Sequence, residues 1–158
     1  FDKEGVVTAG TSSPLTDGAA AVMVCSEEYA KNNNLKIMAY IRGMAISGCS
    51  PEIMGIGPVL SSQKALKRAG IDLKDIDIIE MNEAFAAQSL ACVKELGIDM
   101  SKLNIHGGAI AMGHPLGASG ARITGKAASL LQETGKKYAL STMCVGGGQG
   151  CATVLERA

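Results

Sequence analysis

The chain has 158 residues, enough for one domain with a sizeable core, and 47% of them are hydrophobic, which argues against intrinsic disorder. Its 15 basic and 15 acidic side chains cancel, and two Phe, three Tyr and no Trp offer little stacking surface, so we expect no nucleic-acid partner. No apolar run approaches the roughly 20 residues of a transmembrane helix, so we expect no membrane partner.

The first half of the chain alternates between apolar runs and helical patterns. A turn-rich opening leads into the apolar run Ala19–Cys25, which predicts a buried strand. Ser26 is a suitable cap for a helix that runs to about Asn33. Alternating residues predict a strand over 36–44, and a helix is predicted over 61–69, ending at Gly70.

The second half continues the alternation, with glycines closing its helices. Strands are predicted at 77–81, 137–144 and 152–156, and helices at 84–96 and 118–134. Together with the two earlier strands, this predicts an α/β fold with a mixed five-stranded sheet flanked by helices. We expect the last two strands to form an antiparallel pair.

His114 lies between Gly113 and Pro115, just before a predicted helix. Its imidazole titrates near neutral pH and is suited to proton transfer, whereas the structural alternative is a histidine within a Gly-Pro turn. His106, in a less distinctive setting, is the weaker candidate.

Cys144 ends a predicted strand and is followed by Gly146-Gly147-Gly148. Its thiol can exchange protons or attack a carbonyl while backbone N–H groups beyond it form an oxyanion hole, although most free cysteines are simply small buried residues. The glycines lead into a strand, not a helix, which excludes a dinucleotide loop.

The other cysteines give no sign of a disulfide framework or a metal site. The odd number of cysteines and the absence of a Cys-x-x-Cys pair predict free thiols in a reducing compartment. We expect Cys25, Cys49, Cys92 and, provisionally, Cys151 to be small buried residues. Cysteine and histidine spacing fits no compact zinc finger, so we expect no metal.

Asn82 and Glu83 form a polar pair at a predicted strand-to-helix junction. The amide can orient a water or a carbonyl, and the carboxylate lies beside it, but the same pair is a routine helix cap. Taken alone, the pair does not decide between these interpretations.

In combination, these segments resemble the C-terminal half of a thiolase. The resemblance covers essentially the whole chain through Val7–Ser13 with Asp17–Ala20, Asn82–Phe85, Gly107–Pro115 and Cys144–Gly148. It implies a thiolase-type fold built from two halves, and an enzyme that condenses acetyl-CoA or cleaves 3-ketoacyl-CoA through an acyl-cysteine. Coenzyme A thioesters would be its substrates, with no covalently bound cofactor.

The resemblance also implies roles for individual residues. His114 would activate the nucleophilic cysteine and help bind the thioester oxygen, with a water held by Asn82 completing that oxyanion hole. Cys144 would be a second, acid/base cysteine, and the N–H of Gly146 would serve the other oxyanion hole.

Four further residues match the family's coenzyme A site. Ala9, Gly10 and Ser13 match the segment that contacts the pantetheine arm, and Phe85 would line the acyl pocket.

The nucleophilic cysteine of the family lies upstream, in a glycine-containing turn that no cysteine here matches. We therefore expect residues 1–18 to be the end of a loop region that contacts coenzyme A, with Phe1 inside that loop. Residues 19–158 would form the C-terminal domain, without the N-terminal half that carries the nucleophile. The chain alone should be inactive and should expose an apolar face where that half would pack.

The intact enzyme would be a homodimer or tetramer of fatty acid metabolism, located in the cytoplasm or an organelle matrix. Two alternatives remain at this point. One is a non-catalytic thiolase-fold module for coenzyme A binding or assembly. The other is a ketoacyl synthase, although Cys144 with its glycines and the Asn82-Glu83 pair favour a thiolase.

Overall fold

The computed structural model describes residues 2–158, which contain four strands and five α-helices. In chain order these are α1 (Glu27–Asn32), β1 (Ala39–Gly48), α2 (Gly57–Ala69), β2 (Ile78–Met81), α3 (Ala86–Leu96), α4 (Ala109–Met112), α5 (Ser119–Thr134), β3 (Tyr138–Val145) and β4 (Gln149–Arg157). Short 3-10 helices lie at Ala9–Thr11, Pro51–Ile56, Leu73–Asp75 and Met100–Lys102.

The four strands form one mixed sheet in the order β1-β4-β3-β2. β2 and β3 are parallel, whereas β4 pairs antiparallel with both β1 and β3. The mixed α/β architecture and the antiparallel final pair are therefore confirmed, but the sheet has four strands and not five.

The predicted strand that is missing from the sheet is Ala19–Cys25. These residues are exposed and form no ladder, and Val24 retains 72% of its accessible surface. An apolar run becomes a strand only where a neighbouring strand bonds its backbone, and none of the strands described here lies beside it. Cys25 is exposed for the same reason, so its predicted burial is wrong.

The central strands bury both of their faces because their side chains alternate between two helix layers. Ile79, Leu140 and Val154 lie in a cluster with residues of α2 and α3. Their neighbours Ile78 and Leu155 pack with α5 on the opposite face. Because side chains of a strand alternate between its two faces, one set of β2 and β3 side chains packs against α5 and the loop that precedes it.

Glycines end the long helices where the sequence predicts them to end. Gly70, Gly97 and Gly135 have φ angles of +66°, +70° and +70°, a region that favours glycine. α2 starts at Gly57, earlier than predicted, because Pro58 fits the first turn of a helix. Glycine suits position 57 because a Cβ there would collide with the Gln149 carbonyl.

One part of the sheet has no helix over it. In β1, Gly43, Ala45 and Ser47 are buried, whereas Met44 and Ile46 keep 56% and 67% of their surface. A Cβ at Gly43 would touch Ala65 and Ala69 of α2, so Met44 and Ile46 point to the other side of the sheet. The apolar exposure expected from the sequence is present there.

Candidate active site

Asn82 and Cys144 are brought together by the parallel pair β2 and β3. Met81 lies opposite Thr142 in the ladder, and the Asn82 N–H donates to the Thr142 carbonyl at 3.0 Å. Because the carboxyl ends of parallel strands share one edge of a sheet, Asn82 and Cys144 both lie at that edge, as expected of ligand sites in α/β folds.

The side chain of Asn82 is almost fully buried yet has no partner. It keeps 1% of its surface, and neither Oδ1 nor Nδ2 forms a hydrogen bond with any residue of 2–158. An unsatisfied buried amide is costly, on the order of 1–3 kcal/mol, so it marks a place where a water or ligand supplies the missing bonds.

His114 is held at the start of α5 by the helix itself. Its Nδ1 lies 2.7 Å from the Ser119 hydroxyl oxygen, and Arg122 donates to the Gly113 carbonyl at 2.8 Å. Desolvation, and secondarily the Arg122 cation, hold the pKa of His114 below its usual 6.5. The imidazole is therefore neutral at pH 7 and available as a base.

The start of α5 lies beside the end of β3. A Cβ built at Gly120 would be 3.7 Å from the Met143 sulfur, one residue before Cys144. Cys144 keeps only 5% of its surface, and burial raises the pKa of its thiol. A thiol that stays protonated at neutral pH is suited to donating a proton.

The glycines after Cys144 form the tight turn between β3 and β4. Gly147 and Gly148 have φ angles of +83° and +86°. Gly148 is buried against Cys49, whose N–H donates to its carbonyl at 2.7 Å. Gly146, in contrast, is exposed, and a Cβ there would meet no atom within 4 Å.

The segment at residues 12–18 crosses the sheet edge that holds Asn82 and Cys144. The Ser13 N–H donates to the Ala84 carbonyl at 3.0 Å, and Ser12 forms an antiparallel bridge with Phe85. A Cβ at Gly18 would lie 2.8 Å from Pro115, next to His114. Two residues of the predicted coenzyme A set, Ser13 and Phe85, are thus brought to the site.

The other two residues of that set, Ala9 and Gly10, lie in the exposed 3-10 helix Ala9–Thr11. That helix is joined to the site through Ser12 and Ser13. The predicted loop 1–18 also includes Phe1, which lies outside the described residues.

Glu83, whose role the sequence left open, and Asn104, which sequence reasoning did not consider, hold the loop of the site in place. Glu83 accepts from the Asn104 side chain at 2.7 Å and from the Ile110 N–H, in the first turn of α4, at 3.1 Å. Asn104, with φ of 45°, also bonds both the N–H and the carbonyl of Met81 at 2.9 Å. This clasp ties the end of β2 to the loop before His114.

Two further candidates have contrasting surroundings. His106 is exposed, and Cys92 is fully buried with a pKa raised by burial to about 11. Within residues 2–158, no three His, Cys, Asp or Glu side chains are grouped so that they could hold a metal ion. Over the same residues, no helix combines the length and apolarity needed to cross a bilayer.

Comparison with known proteins finds the two domains of one family along the chain. The protein-family model for the thiolase C-terminal domain matches residues 35–157. The family model for the thiolase N-terminal domain matches residues 1–28. The 3-ketoacyl-CoA thiolase of Vibrio parahaemolyticus is 59% identical over 97% of this chain and 40% of the relative.

Solved structures give the same result. Human mitochondrial 3-ketoacyl-CoA thiolase in complex with CoA superposes with a TM-score of 0.98 at 51% identity. Acetyl-CoA acetyltransferase from Bacillus anthracis gives 0.97 at 44%. Each covers all of this chain and 40% of the solved chain, so our chain spans about 40% of the length of the proteins it matches. The chain belongs to the thiolase family.

Proposed function

We propose that this chain supplies the acid/base part of a site that transfers acyl groups between a cysteine thiol and coenzyme A. The observation that carries the proposal is the unpartnered amide of Asn82, buried at the sheet edge that also holds Cys144. Neutral His114 and the exposed backbone at Gly146 complete a set of one base, one proton donor and two groups that can stabilise an oxyanion.

In the cleavage direction, His114 takes the proton of a nucleophilic cysteine, whose sulfur attacks the 3-keto carbon of the substrate. The negative charge that develops on that oxygen is stabilised by His114 and by a water on Asn82. The carbon–carbon bond then breaks, leaving an acyl-cysteine and the acetyl-CoA carbanion.

Cys144 completes the reaction as a proton donor and then as an acceptor. Its buried, protonated thiol gives a proton to the acetyl-CoA carbanion, whose oxygen charge is stabilised by the N–H of Gly146. The Cys144 thiolate then takes the proton of an incoming coenzyme A thiol, and the coenzyme A sulfur attacks the acyl-cysteine. The released cysteine recovers its proton from His114, and condensation is the reverse sequence.

The nucleophilic cysteine, we propose, lies outside these 158 residues, in the N-terminal half of the same protein. Cys25 is exposed in an extended segment, Cys92 is enclosed with a high pKa, and Cys49 is half-buried with its backbone bonded to the glycine turn. None of them stands in the small-residue turn that activates a nucleophile in this family.

The coenzyme A arm would lie along the segment that bridges to Phe85. Ser13 is fixed there by its bond to Ala84, and the human relative with 51% identity was solved in complex with CoA. The relatives with the higher identities are called 3-ketoacyl-CoA thiolases, which favours cleavage in fatty acid metabolism. A homodimer or tetramer, in the cytoplasm or an organelle matrix, is part of the proposal.

A non-catalytic coenzyme A-binding or assembly module is the second candidate. It is favoured by one observation: burial raises the pKa of both buried cysteines, Cys92 and Cys144, so neither is an activated nucleophile. The two functions differ in a direct way, because the module would bind coenzyme A without turnover.

Thiolysis of acetoacetyl-CoA by the protein expressed from its complete gene separates them. We expect turnover by the natural protein, reduced at least about 100-fold in Cys144→Ala and in Asn82→Leu, which remove the proton donor and one oxyanion group. Leu90→Ala, on the exposed side of α3, is the control that should retain turnover. Coenzyme A binding with no turnover by the natural protein would instead support the module.

A further inference from the structure

Ser119, the first residue of α5, is a fully buried hydroxyl with two polar neighbours. Its oxygen lies 2.7 Å from His114 Nδ1 and 3.0 Å from the Pro115 carbonyl oxygen. A hydroxyl has a single hydrogen, so it can donate to only one of these two neighbours. Which neighbour receives the hydrogen determines where the proton of the neutral imidazole is.

The geometry favours donation to Pro115. A serine hydroxyl within a helix commonly donates to the carbonyl four residues earlier, which is Pro115 here. The Pro115 carbonyl oxygen also accepts from the Ala118 and Ser119 N–H groups, both at 2.9 Å. If Ser119 donated to His114 instead, its oxygen would lie 3.0 Å from this carbonyl oxygen with no hydrogen between the two. With donation to Pro115, the Ser119 oxygen faces His114 as an acceptor and every close contact contains a hydrogen.

We propose that Ser119 is a positioning residue that fixes the proton of neutral His114 on Nδ1, leaving the Nε2 lone pair as the base of the site. A histidine nitrogen that carries the proton cannot accept one, so the opposite tautomer would present an N–H to the thiol that must be activated. The role as a base rests on the proposed function, whereas the tautomer itself is a property of this chain.

The same face of α5 fixes the backbone that carries the ring. Arg122 donates to the Gly113 carbonyl at 2.8 Å, and Lys126 donates to the Gly107 carbonyl at 3.0 Å. Ser119, Arg122 and Lys126 are spaced three and four residues apart, so they lie on one side of the helix. With the loop anchored at two carbonyls, the imidazole stays within reach of the Ser119 oxygen.

Nitrogen-15 NMR of the imidazole rings measures the tautomer directly. The measurement uses the protein expressed from its complete gene, and a His114→Gln variant identifies the His114 signals by their loss. The spectrum is recorded at about pH 8, above the usual histidine pKa of about 6.5, so that the ring is neutral. We expect the His114 signals to show a protonated Nδ1 and an unprotonated Nε2.

Ser119→Ala removes the acceptor, and the two nitrogen shifts should then move toward each other as both tautomers become populated. Thr124→Ala is the matched control, because it removes another α5 hydroxyl, one that contacts Ser141 at 3.1 Å, and should leave His114 unchanged. In the protein expressed from its complete gene, Ser119→Ala should lower kcat by about three- to tenfold with a smaller change in KM, in line with one lost hydrogen bond.

A protonated Nε2 in the natural protein overturns the inference, as does a tautomer that Ser119→Ala leaves unchanged. If Ser119→Ala does not fold, the shifts of the natural protein decide alone. The NMR measurement needs no turnover, so an inactive protein with a protonated Nδ1 would contradict the proposed function and leave this inference intact. An active enzyme with a protonated Nε2 would do the reverse.

Discussion

At the scale of single residues, the adjacent Asn82 and Glu83 have opposite surroundings. Both carboxylate oxygens of Glu83 accept hydrogen bonds, from Asn104 and from the Ile110 N–H, so the side chain is used within the fold. Both amide atoms of Asn82 are buried without a partner, so that side chain is available to a ligand. Glu83 therefore stabilises the fold of the site, whereas Asn82 is available to bind a ligand within it.

The ionisation of His114 leads to a pH-dependence prediction for kcat/KM. The base must be neutral, so activity falls as pH drops through the pKa of His114. Desolvation and Arg122 hold that pKa below 6.5, so the acid limb of kcat/KM should lie below pH 6.5. Arg122→Gln removes the cation, so the pKa of His114 should rise and the acid limb should move to higher pH. Desolvation should still keep the limb below pH 6.5.

Arg122→Lys is the control for this shift, because it keeps the positive charge and should keep the limb near its original position. The measurement is thiolysis as a function of pH by the protein expressed from its complete gene. An acid limb above pH 6.5 in the natural protein, or a downward shift in Arg122→Gln, would contradict the account.

At the scale of elements, the loop before His114 depends on a close approach at Gly108. The backbone there is extended, with φ of −122°, so alanine is not excluded by its conformation. A Cβ would nevertheless collide with the Glu83 carboxylate that caps α4. Gly108→Ala should therefore lower the free energy of unfolding by about 1–3 kcal/mol, measured by urea denaturation, and lower turnover as the clasp opens.

Gly117→Ala is the matched control, since it lies in the same loop region and its Cβ would meet no atom within 4 Å. Its stability should change by no more than about 0.5 kcal/mol. Combining Gly108→Ala with Glu83→Ala should cost less than the sum of the two single variants, because they disturb one contact. Additive losses in the free energy of unfolding would show that contact with the Glu83 clasp is not what destabilises Gly108→Ala.

The elements also show what the sequence alone can predict. Helix ends at Gly70, Gly97 and Gly135 are local events and are placed correctly. The strand predicted at 19–25 is wrong because strand formation depends on a neighbour that no local pattern records. Asn104 and Ser119 were not predicted as site residues, since their roles come from turns that bring Met81, Glu83 and His114 within hydrogen-bond distance.

Motifs predict the members of a site better than its supports. His114 and Cys144 stand among glycines, a pattern visible in the sequence, and the fold brings both to the same edge. Arg122 has no such marker: it is one cation among 15, and only the course of the loop reveals that it bonds Gly113.

At the scale of the whole molecule, the sheet is covered unevenly. Met44 and Ile46 are exposed on the side where α5 packs, and the apolar segment at 19–25 contacts that helix at Gly125 through Val22. We expect the 158-residue chain to self-associate through this surface. Met44→Lys with Ile46→Lys should return it to a monomer, because charges oppose burial of the face.

Light scattering gives the mass of each variant. Leu90→Lys is the control, because Leu90 is 57% exposed on α3, on the opposite side of the sheet, and should leave the association unchanged. A monomeric mass for the unsubstituted 158-residue chain would contradict the role given to this face.

Our central proposal is that Cys144 transfers protons while another cysteine carries the acyl group. The most direct measurement is peptide mass spectrometry of the protein expressed from its complete gene, quenched in acid during turnover of acetoacetyl-CoA. Acetyl should be found on a cysteine other than Cys25, Cys49, Cys92, Cys144 and Cys151, and the 158-residue chain alone should not be acetylated. Acetyl on Cys144 would contradict the account.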